Sequence, residues 1–390
     1  MPNVRLLLLI LGLLLAPVAA QAQAAANGWD VVVARKNVAD IAAMPRPKIE
    51  EDAHGVIEVV VDAATDLVLG ARLLPRDTAS EGEAALIAFD APFYVRGAIV
   101  VRPVTEEADA GNGGRTKTAR LVPVTTDAMV DWFSRAAVWE RFDGRKGRPV
   151  PIDPPRNVAT TLLSRDGEWR FPQLAGVITT PTLRPDGSVL SEPGYDPATR
   201  LLLVDPLPMP KLAARPTRKA AQEGLALLAD LLVDFPFVDE ASRAVALSAL
   251  ITPVVRGALL VAPLHAARAP TPGSGKSFLV DIVSAIATGQ RCPVIAASQS
   301  DEENEKRLGS ALLAGQPLVS IDNINGELKG DTLSQLIERP IVQVRILGRS
   351  ETKSIESRST VFATGNNLVV AADIVRRVVL CSLDPEVERP

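Results

Sequence analysis

With 390 residues, 47% of them apolar and 23% charged, the chain is long enough for two or more globular domains, each with a sizeable core. A net charge of −4 excludes a global positive field that would draw the whole molecule onto nucleic acid, so any such contact needs a local basic patch. Two cysteines, Cys292 and Cys381, and two histidines, His54 and His265, exclude a disulfide framework and leave little for a zinc or histidine-based metal centre.

Residues 1–26 read as a signal-peptide-like segment. Arg5 precedes an apolar run, residues 6–15, that is short for a bilayer span, and Ala-x-Ala cleavage sites follow between Ala19 and Ala24. This segment alone predicts export, with no stable membrane span after cleavage. The nucleotide site described below predicts a cytoplasmic protein, because ATP is a cytosolic resource. A fused or misassigned gene start reconciles the two.

Residues 27–80 are expected to form a short α+β fragment. Residues 56–71 read as a strand, a turn at Asp62 to Asp66 and a second strand, a hairpin pattern. Together with Met44-Pro45-Arg46-Pro47-Lys48, the stretch 28–78 resembles the C-terminal dimerisation domain of FAD-dependent pyridine nucleotide-disulfide reductases. The catalytic parts of that family are missing: no G-x-G-x-x-G follows a strand and no cysteine pair has redox spacing. No redox activity is implied, and these residues read as foreign to the remainder.

Residues 81–215 read as an α+β accessory region. A short helix is expected at 83–88, strand pairs at 93–104, and a flexible glycine-rich turn at 108–117. A helix is expected over 126–142, with Met129, Trp132, Phe133, Ala136, Ala137 and Trp139 on its packing face. Pro149, Pro151, Pro154 and Pro155 suggest a first linker. Strands are expected at 174–182 and 201–204 around the turn Pro185-Asp186-Gly187. Pro206, Pro208, Pro210 and Pro216 mark a second linker and a domain boundary near 206–216. Two packing helices follow, capped by Thr217 and Asp239. Leu225, Leu227, Leu228, Leu231 and Leu232 lie on the first, and Ala244, Val245, Leu247, Leu250 and Ile251 on the second.

The decisive stretch comes next. An apolar segment, residues 259–264, leads into a loop, residues 265–277, that ends Pro272-Gly273-Ser274-Gly275-Lys276-Ser277, and Phe278 opens an apolar helix. This order fits a phosphate-binding P-loop. Backbone N–H groups must point at the phosphates, and glycine lets the chain come that close. The helix turns its positive N-terminal end toward the anion. Lys276 is expected to neutralise β/γ charge and Ser277 to reach Mg²⁺. Residues 272–278 are therefore the expected nucleotide-binding set, with ATP and Mg²⁺ as cofactors. Pro270 stands where the usual pattern begins with glycine.

Residues 317–323 read as an apolar strand ending in Asp322, the second carboxylate expected on the Mg²⁺ side. Asn323 follows where many ATPases carry a glutamate, and an amide cannot take a proton. Either another acid such as Glu327 serves, or hydrolysis is slow. Residues 341–358 alternate across a turn at 348–351, a hairpin signal. Arg345, Arg349, Lys353 and Arg358 decorate it, and positive charge of this kind can track a nucleic-acid backbone. Glu351 and Glu356 dilute that charge, and a plain solvated hairpin is the other reading. Residues 360–367 form a strand ending in Asn366 and Asn367. Arg376 and Arg377 precede a last strand at 378–383.

With these motifs, residues 81–390 resemble the helicase-type ATPase of phage and prophage replication proteins, the primase–helicase group, which is superfamily-3 and AAA+-like. Segments 174–187 and 194–199 and Ala363-Thr364-Gly365-Asn366-Asn367-Leu368 carry the resemblance further. It implies an α/β, doubly wound P-loop domain over 216–390, C-terminally short. It also implies Asn366 as sensor of the γ-phosphate with Asn367 as runner-up, and Arg377 or Arg376 as a finger reaching a neighbouring subunit's nucleotide. The implied partners are single-stranded DNA, further copies of the chain in a ring, and other replication proteins. The implied activity is ATP hydrolysis coupled to movement along that strand. No primase active site is visible. Two alternatives stand beside this: a nucleotide-binding scaffold or switch without motor activity, which Asn323 favours, and a non-functional gene fusion.

Overall fold

The computed structural model describes residues 30–35, 48–50, 56–61, 68–74, 77–109, 114–206, 209–210, 216–298, 300–345, 352–371 and 373–385. The segment 1–26, the turn at 62–66, most of the proline stretch 206–216, and Arg349 lie outside the described residues. The chain divides into two compact units: residues 1–91 with 124–170, and residues 92–123 with 171–390.

In the first unit the strand pair expected at 56–71 forms, Val56–Val61 antiparallel to Val68–Leu74, with Asp30–Arg35 parallel to the former. The helix expected over 126–142 is shorter. It spans Thr126–Ala136, Ala137 is extended, and Val138–Asp143 is a strand paired with Arg148–Pro151 and Lys48–Glu50. The reason is pairing: strands at 48–50 and 148–151 offer ladder partners, and the β-branched Val138 tolerates the extended backbone that they demand. Trp139 is a core residue, as expected. Its indole nitrogen donates to the Phe133 carbonyl at 3.2 Å, and the two rings lie 5.1 Å apart. Pro149 and Pro151 sit within Arg148–Pro151, which lies at the edge of its sheet, where proline's missing N–H breaks no inner ladder.

The second unit is built on a five-stranded sheet. Its strands are β1 (Leu264–Ala269), β2 (Val294–Ala296), β3 (Leu318–Leu328), β4 (Thr360–Val370) and β5 (Val378–Ser382), in the order β2-β3-β4-β1-β5. Every neighbouring pair is parallel. Inner parallel strands are buried on both faces and read as apolar runs such as Leu318-Val319-Ser320-Ile321. The strand before the glycine loop is not residues 259–264, as hydropathy suggests. It is Leu-His-Ala-Ala-Arg-Ala, because a strand clamped between two others is chosen by small side chains and ladder partners rather than by apolar bulk.

Among the described residues five α-helices belong to this unit: α1 (Arg218–Asp230), α2 (Glu240–Ile251), α3 (Lys276–Thr288), α4 (Asp301–Leu313) and α5 (Asp331–Glu338). They cover both faces of the sheet. Phe362 of β4 packs with Leu279, Val280 and Val283 of α3 and Ala246, Ala249 and Leu250 of α2. Its neighbours Val361 and Ala363 face Leu308 and Leu312 of α4 and Leu333, Leu336 and Ile337 of α5. This inversion from one residue to the next is the period of a strand. Each such aliphatic side chain contributes about 1.5–3 kcal/mol on full burial.

The caps at Thr217 and Asp239 form as expected, Thr217 Oγ1 accepting from Ala220 N and Asp239 Oδ1 from Ser242 N. Yet α1 buries none of its residues, and the buried face of α2 is Ser242, Ala246, Ala249 and Leu250. The remaining strands of this unit include Val100–Asp109 antiparallel to Arg115–Pro123, a pairing that runs into the stretch expected as a flexible turn. Gly176–Ile178 lies parallel to Leu201–Leu203, and a small hairpin closes around Asp186 and Gly187. Arg96, only 2% exposed, ties these pieces to the sheet domain. Its guanidinium donates to the carbonyls of Leu174 (3.1 Å), Ala175 (2.5 Å), Leu312 (2.5 Å) and Glu356 (2.8 Å). Among the described residues no helix is long and apolar enough to cross a membrane.

Candidate functional site

The site lies where β1 ends. Residues 270–275 leave the C-terminal end of β1 and enter α3 at Lys276. In open α/β sheets this edge is where ligands bind. Gly273 and Gly275 have φ of 74° and 86°, left-handed values that glycine adopts without a steric penalty. Gly275 is the N-cap of α3 and carries no side chain, so the first N–H groups of the helix have no capping oxygen.

The buried Ser274 donates from Oγ to the Thr271 carbonyl at 3.1 Å. Lys276 Nζ donates to that same carbonyl at 3.0 Å and to Ser274 Oγ at 2.8 Å. The loop thus folds around its own ammonium group. Burial lowers the Lys276 pKa, and the nearby Asp322 carboxylate opposes this. Thr271 Oγ1 is buried without a hydrogen-bond partner. Pro272, Ser277 and Phe278 are exposed.

Asp322 reaches this loop because β3 bulges. Its register with β4 runs from Ile321 opposite Ala363 to Ile324 opposite Gly365, so Asp322 and Asn323 together face one residue, Thr364. Asn323 takes φ 61°, a left-handed value that Asn tolerates better than most residues. The bulge turns the Asp322 carboxylate to Ser277, whose Oγ donates to Oδ1 at 3.2 Å. Thr364 Oγ1 donates to the same oxygen. A hydroxyl and a carboxylate oxygen this close are hard donors of the kind that suit Mg²⁺. Among the described residues no group of three or more His, Cys, Asp or Glu side chains could hold a metal ion, so phosphate and water oxygens would have to complete its shell.

Asn366 stands opposite Ala269, the last residue of β1, and is half-buried, whereas Asn367 is exposed with φ 55°. An open hollow of about 450 Å³ lies beside the loop's first residue, lined by Arg268, Pro270, Asn367, Leu368, Ser382 and Asp384 among others. Arg376 and Arg377 sit elsewhere. They precede β5, whose first residue, Val378, pairs with the first residue of β1, Leu264. The loop leaves at the other end of β1, five residues on, roughly 17 Å away at strand spacing. Neither arginine reaches the loop of its own chain. Arg376 is exposed, and Arg377 Nε lies 2.8 Å from Glu338 Oε1.

The hairpin expected at 341–358 forms from Ile341–Arg345 and Thr352–Glu356. Arg345 is exposed and Lys353 half-buried. Arg358 is buried and turned inward. It donates to the Leu259 carbonyl at 2.5 Å and pairs with Glu356 at 3.1 Å, so its charge serves the base of the hairpin and not its surface. Glu327 is exposed on β3.

Three residues at or beside the loop and the bulge, Thr364, Gly365 and Phe235, were not among the expected site residues. A polar residue inside an otherwise apolar strand is the signal that marks Thr364. Gly365 is required by contact: a Cβ there would lie 2.2 Å from the Ile324 carbonyl oxygen. Phe235 has no signal in its local sequence, since only the fold brings it to Gly275.

No family model matches the chain, and no curated protein does. Among 122 chains of solved structures that match is JCV helicase, crystallised with a thiazolopyridinyl-phenoxyphenyl acetamide. It is 14% identical with a TM-score of 0.28, over 42% of this chain and 46% of the helicase chain. The match thus spans less than half of that protein's length.

Proposed function

We propose that residues 216–390 are an AAA+-like P-loop domain that binds ATP with Mg²⁺ and hydrolyses it. The observation that carries this is the convergence of Lys276, Ser277 and Asp322 at the end of β1, with Ser277 Oγ 3.2 Å from Asp322 Oδ1. The open N–H groups of α3 and its dipole favour a phosphate there. Lys276 exchanges its contacts with Thr271 and Ser274 for phosphate oxygens, and Ser274 is then free to follow. Ser277 and Asp322 hold Mg²⁺ from one side. When bound there, Mg²⁺ would supply positive charge that offsets the charge developing on the phosphates. Asn366, opposite the last residue of β1, orients water near the γ-phosphate.

We extend this to a helicase-like motor on single-stranded DNA. Arg345 and Lys353 on the hairpin supply backbone-tracking charge. Arg376 or Arg377, remote from the loop of its own chain, contacts a neighbouring copy's nucleotide in a ring. Such a protein works in the cytoplasm with other replication proteins. A nucleotide switch without motor activity is the second proposal, favoured by the exposed Asn323 where a proton acceptor is needed.

Calorimetric titration with ATP and Mg²⁺ tests the first claim, with Lys276→Ala as control. Loss of a charge-assisted contact is expected to weaken binding about 10- to 150-fold. Unchanged affinity in Lys276→Ala overturns it. DNA-stimulated turnover separates motor from switch, since a switch binds ATP yet turns over at background rate with any DNA.

A further inference from the structure

Beside the phosphate loop lies a row of three aromatic rings: Phe235 and Phe237 are half-buried against the core, whereas Phe278 stands outside it. Phe278 follows Ser277 in the first turn of α3 and is 62% exposed, although Leu279, Val280 and Val283 of the same helix are buried. Its ring lies 6.1 Å from that of Phe235, with only 16° between their planes. Phe237 continues the row, 5.8 Å from Phe235 at 24°. The segment carrying Phe235 and Phe237 is fixed to the edge of the sheet: Phe237 bridges to Leu383, and Val238 N donates to the Ser382 carbonyl at 3.1 Å.

The row also touches the loop. A Cβ on Gly275 would lie 3.3 Å from Phe235 Cε1, so the ring rests directly against the left-handed glycine that precedes Lys276. Val233 and Val238 are exposed on either side of the two phenylalanines in sequence. A single exposed Phe needs no explanation. A near-parallel pair does, when one ring rests on the glycine just before the phosphate-binding lysine and the other stands two residues after it, beside the path open to the organic end of a nucleotide.

We infer that Phe278 and Phe235 form a stacking platform for the base of the bound nucleotide. This rests on the phosphate-loop reading of Lys276 and Ser277. Flat π-faces attract any base without hydrogen-bond readout, so the platform adds affinity for the nucleoside part and leaves recognition of the phosphates to the loop. Sugar and base are thereby held by α3 and the 235–238 segment, while the γ-phosphate points toward Asp322 and Asn366.

Calorimetry with two probes, ATP and inorganic tripolyphosphate, both with Mg²⁺, tests this on the full chain. Phe278→Ala is expected to weaken ATP about 5- to 150-fold while changing tripolyphosphate less than about twofold. Phe278→Trp is expected to restore ATP binding. Phe278 is exposed, so the variant should keep the wild-type melting curve; Phe235→Ala serves as a second variant if its melt also holds. The inference is overturned if Phe278→Ala leaves ATP affinity unchanged, or if it lowers ATP and tripolyphosphate affinity equally, which would mean that the ring only shapes the loop. Wild-type protein that binds neither probe refutes the phosphate reading itself, and the platform with it.

Discussion

Thr364 and Asp322 are joined by a hydrogen bond from the threonine hydroxyl to Asp322 Oδ1, the oxygen that also accepts from Ser277 Oγ at 3.2 Å. Thr364 is buried in β4 and Asp322 sits on the bulge of β3, so this bond fixes the carboxylate from behind while Ser277 meets it from the loop. Thr364→Val keeps the shape of the side chain and removes the donor. It is expected to cost about 1 kcal/mol of stability. It is also expected to weaken ATP binding in the presence of Mg²⁺ more than in EDTA. Equal loss in both buffers would mean that Thr364 serves the fold and not the carboxylate.

Gly365 holds the same bulge by having no side chain. Gly365→Ala would drive a Cβ into the Ile324 carbonyl at 2.2 Å, a backbone atom that cannot rotate away. Overpacking of this kind costs about 1–3 kcal/mol and sometimes more. Gly224→Ala is the contrast. Gly224 lies within α1 with open space around it, and there the change should stabilise by about 0.5–1 kcal/mol. Thermal melts of both variants would show opposite shifts; a shift of the same sign refutes the steric account.

Arg96 is a buried cation paired with carbonyls. Burial pulls its pKa down to about 10, so it remains charged at neutral pH. Arg96→Met would leave four carbonyl groups facing an apolar chain, at an expected cost of about 3–5 kcal/mol by analogy with broken buried pairs. Arg96→Lys should recover little, because one ammonium cannot span carbonyls that a fork of three nitrogens reaches. Urea midpoints of the two variants would settle this, and a Lys variant close to wild type would refute it.

His265, buried in β1, stacks 5.6 Å from the Phe362 ring and shares a 3.2 Å hydrogen bond with Ser248. Burial lowers its pKa from 6.5 to about 4. Between those values the unfolded chain binds the proton and the folded chain does not. Stability therefore falls as pH drops below 6.5, by on the order of 3 kcal/mol once pH passes 4. His265→Gln keeps a partner for Ser248 and cannot titrate. Denaturation curves at pH 7 and pH 4.5 should show a smaller acid loss for this variant, and equal losses would rule out the histidine as the cause.

The glycine loop, the acid at 322 and the amides at 366 and 367 are all legible in sequence, because each is tied to a local pattern. Gly-Ser-Gly-Lys-Ser encodes its own turn: left-handed backbone at Gly273 and Gly275, then a helix starting at Lys276. Continuous apolar runs locate the starts of β3, β4 and β5 to within a few residues. Errors fall where local preference and tertiary demand compete. Residues 138–142 continue an apolar helical face, yet they form a strand because partners at 48–50 and 148–151 are available to pair with them.

What the sequence by itself determined is the set of groups near the chain's sharp turns, since φ, capping and periodicity depend on neighbours a few residues away. Only the tertiary structure decided which of those groups meet. The meeting of Ser277, Asp322 and Thr364, the rest of Phe235 against Gly275, the inward turn of Arg358 and the distance of Arg377 from its own loop follow from strand order and register. Those are set by pairing between residues dozens of positions apart, where one slip in register would turn every side chain to the opposite face.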